Sequence, residues 1–498
     1  MINVVSVENM RKSDEWTIKN LTSSKELMKR AGEAVFERVK WQAPVAIVCG
    51  TGNNAGDGFV LAKKLADIGV ECKVFLLEEK FSTDGKFYFD KCADKKINIE
   101  VIDKNTNFEK FKTIVDCIFG TGFKGEVKGL PKDVINKINN SKAVIISVDI
   151  NSGLNGDTGL CDICVKSDLT ISIGSFKTGH FLNMAKDVMK SKTNADIGIK
   201  LISEPYYLIE KKDLESIFYK RKNFSNKSTY GYVALIGGTE KYSGAIKLAN
   251  LANSAMRAGA GVVKLAVPKC ISQAVMPYLL ESTMFPLKSN NGEIVFVESE
   301  FVELINGVKT IAIGMGIGLS GEVEKILNFI FSKFDGTLVI DADALTVLAK
   351  MNNDLLKKAK CKVILTPHIK EFSRLTGKSV DEIYKNQIEL AKQYAKENNC
   401  ILLLKGTTTI VTNGEKIYLV DKGSAGMATA GSGDVLSGII SAVCAYNQDN
   451  LLLAVAGAAF VNGLAGELAE NENGAISMVA SDTANMIKNA INEIIMDN

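Results

Sequence analysis

The sequence lacks the features that mark secreted, membrane-spanning and nucleic-acid-binding proteins. Its N-terminal stretch MINVVSVENMRKSDEW reaches charged residues before an apolar core of signal-peptide length can form, and no uninterrupted apolar run is long enough to span a bilayer. The formal net charge is only +3 among 498 residues, which argues against a dedicated nucleic-acid or membrane-surface protein. We therefore expect a cytoplasmic protein that binds neither nucleic acid nor membrane.

The ten cysteines do not form a disulfide framework. Most stand singly within apolar segments, as Cys117 and Cys361 do, which is typical of reduced core residues. Only Cys161 and Cys164 form a close pair, without a second pair or a nearby histidine that would complete a zinc site. We interpret this pair as incidental.

Both halves of the chain alternate short apolar segments with helical patterns. Strands are expected at 46–48, 70–77, 113–119, 144–148, 169–173, 232–236, 262–267, 310–313, 338–341, 363–365 and 401–404, helices at 59–68 and 245–257, and a hairpin at 408–420. Apolar runs separated by helices indicate α/β domains with parallel, doubly wound sheets. The composition changes after about residue 204, so we predict domains at 1–210 and 229–498 and a linker at 211–228. The basic run Lys220-Arg221-Lys222 fits a solvated linker better than a nucleic-acid patch.

A glycine-rich turn opens a helix near the C-terminal end of the sequence. The stretch from Gly423 to Gly438 reads GSAGMATAGSGDVLSG. Unpaired amides and the helix dipole make such a turn an anion site, and Asp434 is expected in the first helical turn, where it could take a proton from a hydroxyl beside a bound phosphate. This combination suggests phosphoryl transfer, although a small-residue loop capped by Asp434 would give the same pattern. Because no Walker-type P-loop occurs, nucleotide binding would use this turn instead.

Three loops of the first half follow predicted strands. The loop at 50–58 contains a weak Gly-x-Gly-x-x-Ala match to a dinucleotide fingerprint, and the other two begin at Asp116 and Asp149. A carboxylate at the end of a buried strand is costly unless it is paired or functional, although a loop-capping role is an alternative for each. Asn54, Asp116 and Ser152 together offer the hard oxygen ligands that a monovalent or divalent cation prefers.

Four loops of the second half should face one edge of a parallel sheet, at 314–318, 341–344, 366–368 and 405–409. The chain has only two histidines. We expect His368 at the site because it shares this edge with Asp343, Lys405 and Asp434. We expect His180 to be a surface or turn residue.

Several of these motifs resemble known families. GTGNNAGDG, FGTGF and VDINSG in the first half resemble the YjeF N-terminal epimerase family, and GGT with YSGA, TPH, KGT and GMATAGSGD in the second resemble the carbohydrate-kinase-related hydrate dehydratases. Their order resembles that of the bifunctional NAD(P)H-hydrate repair family. The resemblance implies a Rossmann-like, doubly wound domain that interconverts the R and S epimers of hydrated NADH and NADPH. It also implies a larger ribokinase-like domain that dehydrates the S epimer with ADP, giving AMP and phosphate.

The resemblance also assigns roles to individual residues. Asp149 and Asp434 would be catalytic. The epimerase ligand would contact Asn53, Asn54, Ala55, Gly56, Asp57, Gly120, Thr121, Gly122, Phe123, Lys124, Gly125, Glu126 and Asp149. Potassium would bind Asn54, Asp116 and Ser152. In the second half the hydrate would contact Ala245, Gly316, His368 and Asp434. The adenine nucleotide would contact Lys405, Gly406, Thr407, Thr408, Thr409, Ser424, Ala425, Gly426, Met427, Ala428, Thr429, Ala430, Gly431, Ser432 and Gly433.

The implied cofactors are ADP or ATP, Mg²⁺ and K⁺, and we expect a homo-oligomer. The sequence departs from the family pattern at Ala55, where glycine is usual, at Asn151, where proline is usual, and at Ile369-Lys370, where Pro-Gly is common. Two alternatives stay open: a ribokinase-type kinase whose product keeps the phosphate, and a first half that serves as an interaction scaffold like similar domains of mRNA-decapping proteins.

Overall fold

The computed structural model describes residues 1–251, 256–351 and 354–496. These residues divide into two compact units. The first unit is Asn3–Tyr206, and the second consists of Met1–Ile2 and Tyr207–Asn498. The division therefore lies after Tyr206, whereas we placed the end of the first domain at residue 210.

The first unit alternates strands and helices. Its strands are β1 (Ile2–Val5), β2 (Val45–Cys49), β3 (Cys72–Leu76), β4 (Asn98–Val101), β5 (Thr113–Cys117), β6 (Val144–Val148), β7 (Leu169–Ile173), β8 (Phe176–Lys177) and β9 (Lys192–Ala195). Its helices are α1 (Val7–Asn20), α2 (Ser24–Glu37), α3 (Asn53–Asp67), α4 (Thr83–Asp94), α5 (Leu130–Asn139) and α6 (Ala185–Val188).

Seven of these strands form one parallel sheet in the order β4-β3-β2-β5-β6-β7-β9. Hydrophobic clusters cover both faces, one containing Ile47, Val115 and Phe59 and the other Val48, Ile114 and Ile135. Burial on both faces explains why the strands are continuously apolar. The doubly wound prediction for this half is confirmed.

The second unit is larger and follows the same alternation. Its strands are β10 (Tyr206–Leu208), β11 (Tyr232–Ile236), β12 (Val262–Pro268), β13 (Thr283–Leu287), β14 (Ser289–Asn290), β15 (Glu293–Ile294), β16 (Thr310–Ile313), β17 (Thr337–Ile340), β18 (Lys362–Leu365), β19 (Ile401–Leu404), β20 (Thr409–Thr412) and β21 (Ile417–Val420). Its helices are α7 (Ser243–Asn250), α8 (Ser272–Val275), α9 (Glu298–Ile305), α10 (Gly321–Lys333), α11 (Ala342–Leu348), α12 (Asp354–Lys358), α13 (Ile369–Thr376), α14 (Val380–Glu397), α15 (Ser432–Tyr446), α16 (Leu451–Asn473) and α17 (Ala480–Met496).

The main sheet of this unit runs β13-β12-β11-β16-β17-β18-β19-β20-β21-β10. The strands from β13 to β19 are parallel, and β19, β20 and β21 pair antiparallel. The antiparallel pair β20 and β21 confirms the predicted hairpin. Because the parallel strands share one direction, the loops after β11, β16, β17, β18 and β19 lie at the same edge, as we expected.

Two predicted helix boundaries differ from the structure. We expected a loop from Gly50 to Gly58, but α3 already begins at Asn53 with Gly52 as its N-cap, so only three residues separate it from β2. The first helical turn therefore carries the paired asparagines. In the second unit α7 ends at Asn250, and residues 252–255 of the predicted helix at 245–257 lie outside the described residues.

Apolar residues of the segment that we predicted as a linker are buried in the second unit. Leu214, Ile217 and Phe218 belong to its hydrophobic core, while Lys220 to Lys222 are exposed. The spacing of three and four residues places the three apolar side chains on one side of the chain, which lets them pack together.

One helix in the described part of the chain is long and apolar enough to cross a membrane. It is α16, with a mean hydropathy of 1.7 over its most apolar window. Of that window 83% is buried inside the protein. This burial is typical of the core helix of a globular unit, where an all-round apolar surface contacts protein.

Candidate active sites

A cavity of about 460 Å³ lies where β2, β5 and β6 of the first unit end. Asp57 and Asp149 line it with other residues predicted for the epimerase ligand, namely Asn53, Asn54, Gly120, Thr121, Gly122 and Phe123. The structure thus brings these residues together. Three others are elsewhere: Lys124, Gly125 and Glu126 are exposed and do not line the cavity. Ala55 and Gly56 are buried, and a Cβ on Gly56 would lie 2.3 Å from the sulfur of Met28.

Asp149 stands at the end of β6 with a left-handed backbone, φ +66°. Its Oδ1 accepts a hydrogen bond from Lys177 Nζ at 2.5 Å, and its Oδ2 accepts from the amide and the hydroxyl of Thr121, both at 3.1 Å. Burial acts to raise the pKa of Asp149, but the ammonium of Lys177 outweighs it, and the net shift is downward. Asp149 is therefore held as a carboxylate facing the cavity.

The expectation for His180 is wrong in part, because this residue lies in a turn but is fully buried. Its Nδ1 accepts from the Lys177 amide at 3.0 Å, so its Nε2 donates to the Asp149 carbonyl at 2.7 Å. Burial lowers the pKa of His180 to about 4, which keeps the ring neutral. The imidazole thereby connects the backbone amide of Lys177 to the backbone carbonyl of Asp149, the two residues of the ion pair.

Two site residues escaped the sequence analysis. Lys177 is 1% exposed and also donates to the Ile173 carbonyl at 2.8 Å, and Asp14 lines the cavity from α1. Burial raises the pKa of Asp14, and burial together with the charge of Asp149 raises that of Asp57 well above its usual range. A carboxyl group with a lowered pKa and another with a raised pKa, in the same cavity, form the pattern expected of an acid/base site.

The three predicted cation ligands belong to one buried network. Asp116 Oδ1 accepts from Ser152 Oγ at 2.5 Å, and Asn54 Nδ2 donates to the carbonyls of Phe119 and Val148 at 3.0 and 3.2 Å. Asn54 Oδ1 is buried and has no hydrogen-bond partner. Asp116 is fully buried among neutral donors, and burial raises its pKa. The Phe119 carbonyl also accepts from Ser152 Oγ at 3.2 Å, which joins Asn54 to the Ser152–Asp116 pair. An unpartnered amide oxygen in one network with a buried carboxyl group fits a cation.

Asn151 occupies the position at which the sequence departs from the proline pattern. Its Nδ2 lies within hydrogen-bond distance of the Val165 and Val188 carbonyls, at 2.8 and 3.0 Å, and of Ser167 Oγ at 3.0 Å. Its Oδ1 accepts from Thr170 Oγ1 at 2.5 Å. These hydrogen bonds hold the backbone near Asp149 in place. A proline at this position would instead restrict the backbone φ angle through its ring.

In the second unit a partly buried ion pair lies at the ends of β17 and β19. Lys405 Nζ is 2.9 Å from Asp341 Oδ1 and 3.9 Å from Glu371 Oε2, and Ser437 Oγ donates to Asp341 Oδ2 at 2.7 Å. Burial alone would lower the pKa of Lys405, but the two carboxylates raise it, so the ammonium stays charged.

Asp341 and Glu371 were not among the predicted site residues. Asp341 ends a buried strand as Asp116 and Asp149 do, and that shared position was the signal available in the sequence.

Asp434 lies in the first turn of α15, as predicted. Gly431 is the N-cap with φ +94°, and the Val435 amide donates to its carbonyl at 3.1 Å. The amides before Val435 therefore belong to the open first turn of the helix, where the dipole favours an anion. Burial and the charge of Asp341 raise the pKa of Asp434 to about 7. A Cβ added to Gly433 would be 3.4 Å from Lys405 Nζ, so the helix turn and the ammonium group lie next to each other.

His368 is brought to this edge but is engaged in capping α13. Its Nδ1 accepts from the amides of Lys370 and Glu371 at 3.0 and 3.2 Å, and the Glu371 carboxylate accepts from the His368 amide at 2.8 Å. Burial lowers the pKa of His368. The ring is therefore neutral, with Nε2 bearing the proton on a half-exposed side chain.

The two remaining residues predicted for the hydrate, Ala245 and Gly316, lie close to each other. A Cβ on Gly316, whose φ is +64°, would lie 3.1 Å from the Cβ of Ala245. Asp343 accepts from the Gly318 amide at 3.0 Å and thus supports the loop after β16.

Part of the predicted nucleotide loop is held by hydrogen bonds to carboxylates of α16. The Gly426 amide donates to Glu470 at 2.8 Å and the Gly423 amide to Glu467 at 3.0 Å. Thr408 is buried and donates to Asp421 at 3.0 Å, whereas Gly406 and Thr407 are exposed. The loop is therefore held in shape by carboxylates, and the open helix turn at its end is left for an anion.

Comparison with family models gives a match to each unit. A model described as YjeF-related protein N-terminus matches residues 24–179, and a model described as NAD(P)H-hydrate dehydratase matches residues 233–489.

Curated relatives match over the whole length. The bifunctional NAD(P)H-hydrate repair enzyme of Moorella thermoacetica is 32% identical over 489 residues, covering 92% of this chain and 90% of that protein. The enzyme of the same description from Hyperthermus butylicus is 32% identical over 512 residues, covering 99% and 92%. Among solved structures, the ADP/ATP-dependent NAD(P)H-hydrate dehydratase of Bacillus subtilis, co-crystallised with ATP and Mg²⁺, has a TM-score of 0.50 and 26% identity. It covers 58% of this chain and 99% of its own.

Proposed function

The chain belongs to the family of bifunctional NAD(P)H-hydrate repair enzymes, and on that premise we propose that its first unit epimerises R- and S-NAD(P)HX and its second dehydrates the S epimer to NAD(P)H. ADP would be consumed and would give AMP and phosphate. The observation that carries the proposal is the different pairing of the two aspartates, since Lys177 Nζ lies 2.5 Å from Asp149 whereas Asp434 lies in the open first turn of a helix. Asp149 is kept ionised by Lys177, whereas the pKa of Asp434 is raised to about 7 beside an open helix turn.

For epimerisation, the ionised Asp149 is suited to accept a proton. The hydrate carries a hydroxyl on a ring carbon bonded to nitrogen, and electron donation from that nitrogen weakens the bonds at this carbon. Electron donation from the nitrogen would expel the hydroxyl as water and leave a planar iminium carbon, with Asp57, whose raised pKa favours its protonated form, as the proton donor. Asp149 would then accept a proton from a water that adds to the opposite face of this carbon, which gives the other epimer. No redox step is needed. Phe119 and Phe123, stacked with their ring centroids 4.4 Å apart at the cavity wall, would contact the flat parts of the nucleotide.

For dehydration, Asp434 would take the proton from the substrate hydroxyl as that oxygen attacks the terminal phosphate of ADP. Lys405 and the amides at the start of α15 would stabilise the developing charge, and Asp341 would hold Lys405 in place. The phosphorylated intermediate then expels phosphate and leaves the restored double bond. A pKa of about 7 suits a group that must accept a proton near neutral pH.

Two cations fit this proposal. Asn54, Asp116 and Ser152 would hold K⁺, since the unpartnered Asn54 oxygen and the buried Asp116 carboxylate lie in one network. Bound there, K⁺ would neutralise Asp116 and order the loops around the cavity. Mg²⁺ would arrive on the phosphates of the nucleotide, which are its usual ligands. The cytoplasmic location and the homo-oligomer stay predictions.

The test uses purified S-NADHX with ADP and Mg²⁺. Chromatography of the nucleotides and a phosphate assay should show NADH, AMP and free phosphate in equal amounts. A stable phosphorylated nicotinamide product, with no free phosphate, would favour the kinase alternative. Separate incubation of R-NADHX without ADP should give the S epimer faster than in the absence of protein, and no acceleration would contradict the epimerase assignment.

A further inference from the structure

The Cys161–Cys164 pair, which we interpreted as incidental, is closely apposed in the structure. The two Sγ atoms are 3.2 Å apart, Cys164 is buried and Cys161 is half-buried. Both cysteines are free. A disulfide bond measures about 2.04 Å, so closure requires the sulfurs to approach by a little over an ångström.

The turn that carries these thiols packs against the loop that carries Ser152. The Val165 amide donates to the Ser152 carbonyl at 3.0 Å. At Gly153, whose φ is +99°, a Cβ would lie 2.3 Å from the Ile163 carbonyl and 3.1 Å from the Cα of Cys164. There is no free space between the two segments at this point. A change in the thiol turn is therefore transmitted to Ser152, which donates to Asp116.

The two thiols differ in reactivity. The hydrogen bond with Cys164 lowers the pKa of Cys161, and the pKa of Cys164 is raised by the same hydrogen bond and by burial. Cys161 is thus the thiol that ionises first and attacks an oxidant. The described residues contain no group of three or more His, Cys, Asp or Glu side chains that could hold a metal ion, so a metal site is not the better explanation of this pair.

A second thiol pair in the same unit offers a contrast. Cys49 and Cys117 are register partners on β2 and β5, but both are fully buried between sheet and helices. Burial raises the pKa of Cys117 well above its usual range. A core pair of this kind is inert, whereas Cys161 is reachable from solvent.

We propose that Cys161 and Cys164 form a reversible disulfide with low-molecular-weight disulfides as the oxidant, and that its closure slows the epimerase half while leaving the dehydratase half active. The Cys161 thiolate attacks one sulfur of the small disulfide, forming a mixed disulfide and releasing one small thiolate. The Cys164 sulfur, as it loses its proton, then attacks the Cys161 sulfur and displaces the second small thiolate. The two protons of the protein thiols end on the two released thiols, and a small dithiol reverses the reaction.

The effect on epimerisation rests on the proposed function, but the modification site does not. Tightening of the turn shifts Ser152 relative to Asp116, and an ångström-scale displacement near a reacting group costs on the order of 10- to 100-fold in rate. We therefore expect epimerisation to fall by about that factor on oxidation and to recover with dithiothreitol. Dehydration of S-NADHX should not change.

The experiment incubates the full chain with oxidised glutathione or with dithiothreitol. Peptide mass spectrometry should show a Cys161–Cys164 bridge, two mass units lighter than the reduced peptide, only in the oxidised sample. R-NADHX without ADP and S-NADHX with ADP then report the two activities separately. Cys161→Ser and Cys164→Ser should abolish both the bridge and the oxidative loss of epimerisation. Cys270→Ser is the matched control, because Cys270 is exposed and lies in the second unit.

Three results would decide the matter otherwise. Free thiols at both positions, under conditions that convert Cys270 to a mixed disulfide, would overturn the modification site. A bridge that leaves epimerisation unchanged would overturn its control of the epimerase. A bridge in a chain whose reduced form does not epimerise would support the modification site while contradicting the proposed function. The mass measurement on the unaltered chain holds even if a serine variant does not fold.

Discussion

Each unit has a lysine–aspartate ion pair, with one buried member, where its parallel strands end, but the aspartate of the pair differs in its position at the site. In the first unit Lys177 pairs with Asp149, the carboxylate that faces the cavity. In the second unit Lys405 pairs with Asp341, and the acidic residue of the helix turn, Asp434, has no such pair among the hydrogen bonds and salt bridges of the described residues. The aspartate at the first site therefore has a lowered pKa, and the aspartate in the helix turn of the second site has a raised one.

The difference explains how one fold class supports two chemistries. A paired aspartate is a carboxylate at every physiological pH, which suits repeated proton exchange at a carbon centre. An unpaired, partly buried aspartate with a pKa of about 7 is ionised in a substantial fraction of molecules at neutral pH, and in that form it would accept the proton of the substrate hydroxyl. The four predictions that follow test this contrast.

The largest expected effect is at Asp434. Asp434→Asn keeps the size of the side chain but cannot accept a proton, so S-NADHX dehydration should fall by about 10²- to 10⁴-fold. Epimerisation of R-NADHX should be unchanged, which separates the two centres. Asp449→Asn, at an exposed position after α15, is the matched control and should behave as the parent. Near-normal dehydration by Asp434→Asn would remove this residue from the mechanism.

The next effect is at Lys177. Lys177→Met removes the ammonium that lowers the pKa of Asp149, so that pKa should rise and epimerisation at pH 7 should fall at least about tenfold. The rate should recover as the pH is raised, because the carboxylate is then restored. Lys190→Met, at an exposed position of the same unit, should have no effect.

A uniform loss at every pH would indicate only a structural role for Lys177. Tryptophan fluorescence monitors folding in this test, since the only two tryptophans, Trp16 and Trp41, both lie in the first unit.

The pH dependence should separate the two activities without any substitution. Asp434 must be ionised to act as a base, so kcat/KM for dehydration should rise with pH and level off above about 7, falling about tenfold per unit below it. Epimerisation should show no such limb near 7, because the pKa of Asp149 is lowered. Asp341→Asn removes a charge that raises the pKa of Asp434, so the dehydration limb should move to lower pH. If the apparent pKa of the dehydration pH profile were the same in Asp341→Asn as in the parent, the charge of Asp341 would not be what raises the pKa of Asp434.

The smallest expected effect is on stability. Asn151→Ala removes buried hydrogen bonds to the carbonyls of Val165 and Val188, of which the Val188 carbonyl keeps the Ser167 amide, and should lower the free energy of unfolding of the first unit by about 1–3 kcal/mol. Denaturant unfolding followed by tryptophan fluorescence measures this directly. Asn136→Ala, at an exposed helix position, is the control. Equal stabilities would mean that the Asn151 contacts contribute nothing net.

The sequence predicted the centres where a local pattern existed. Asp149 and Asp434 were found because one ends an apolar strand and the other opens a helix after glycines. Lys177 and Asp341 were missed because their partners lie 28 and 64 residues away, and only the order of the strands brings them together. The early start of α3 was missed because glycines and asparagines are poor helix formers.

The most direct test of two complementary centres is the absorbance at 340 nm during reaction of mixed R- and S-NADHX with ADP and Mg²⁺. After subtraction of spontaneous epimerisation, the account predicts complete conversion of both epimers to NADH, with one phosphate released for each. Conversion that stops when the S epimer is exhausted would contradict the role given to Asp149 and Lys177. No gain in absorbance with either ADP or ATP would contradict the account of both centres.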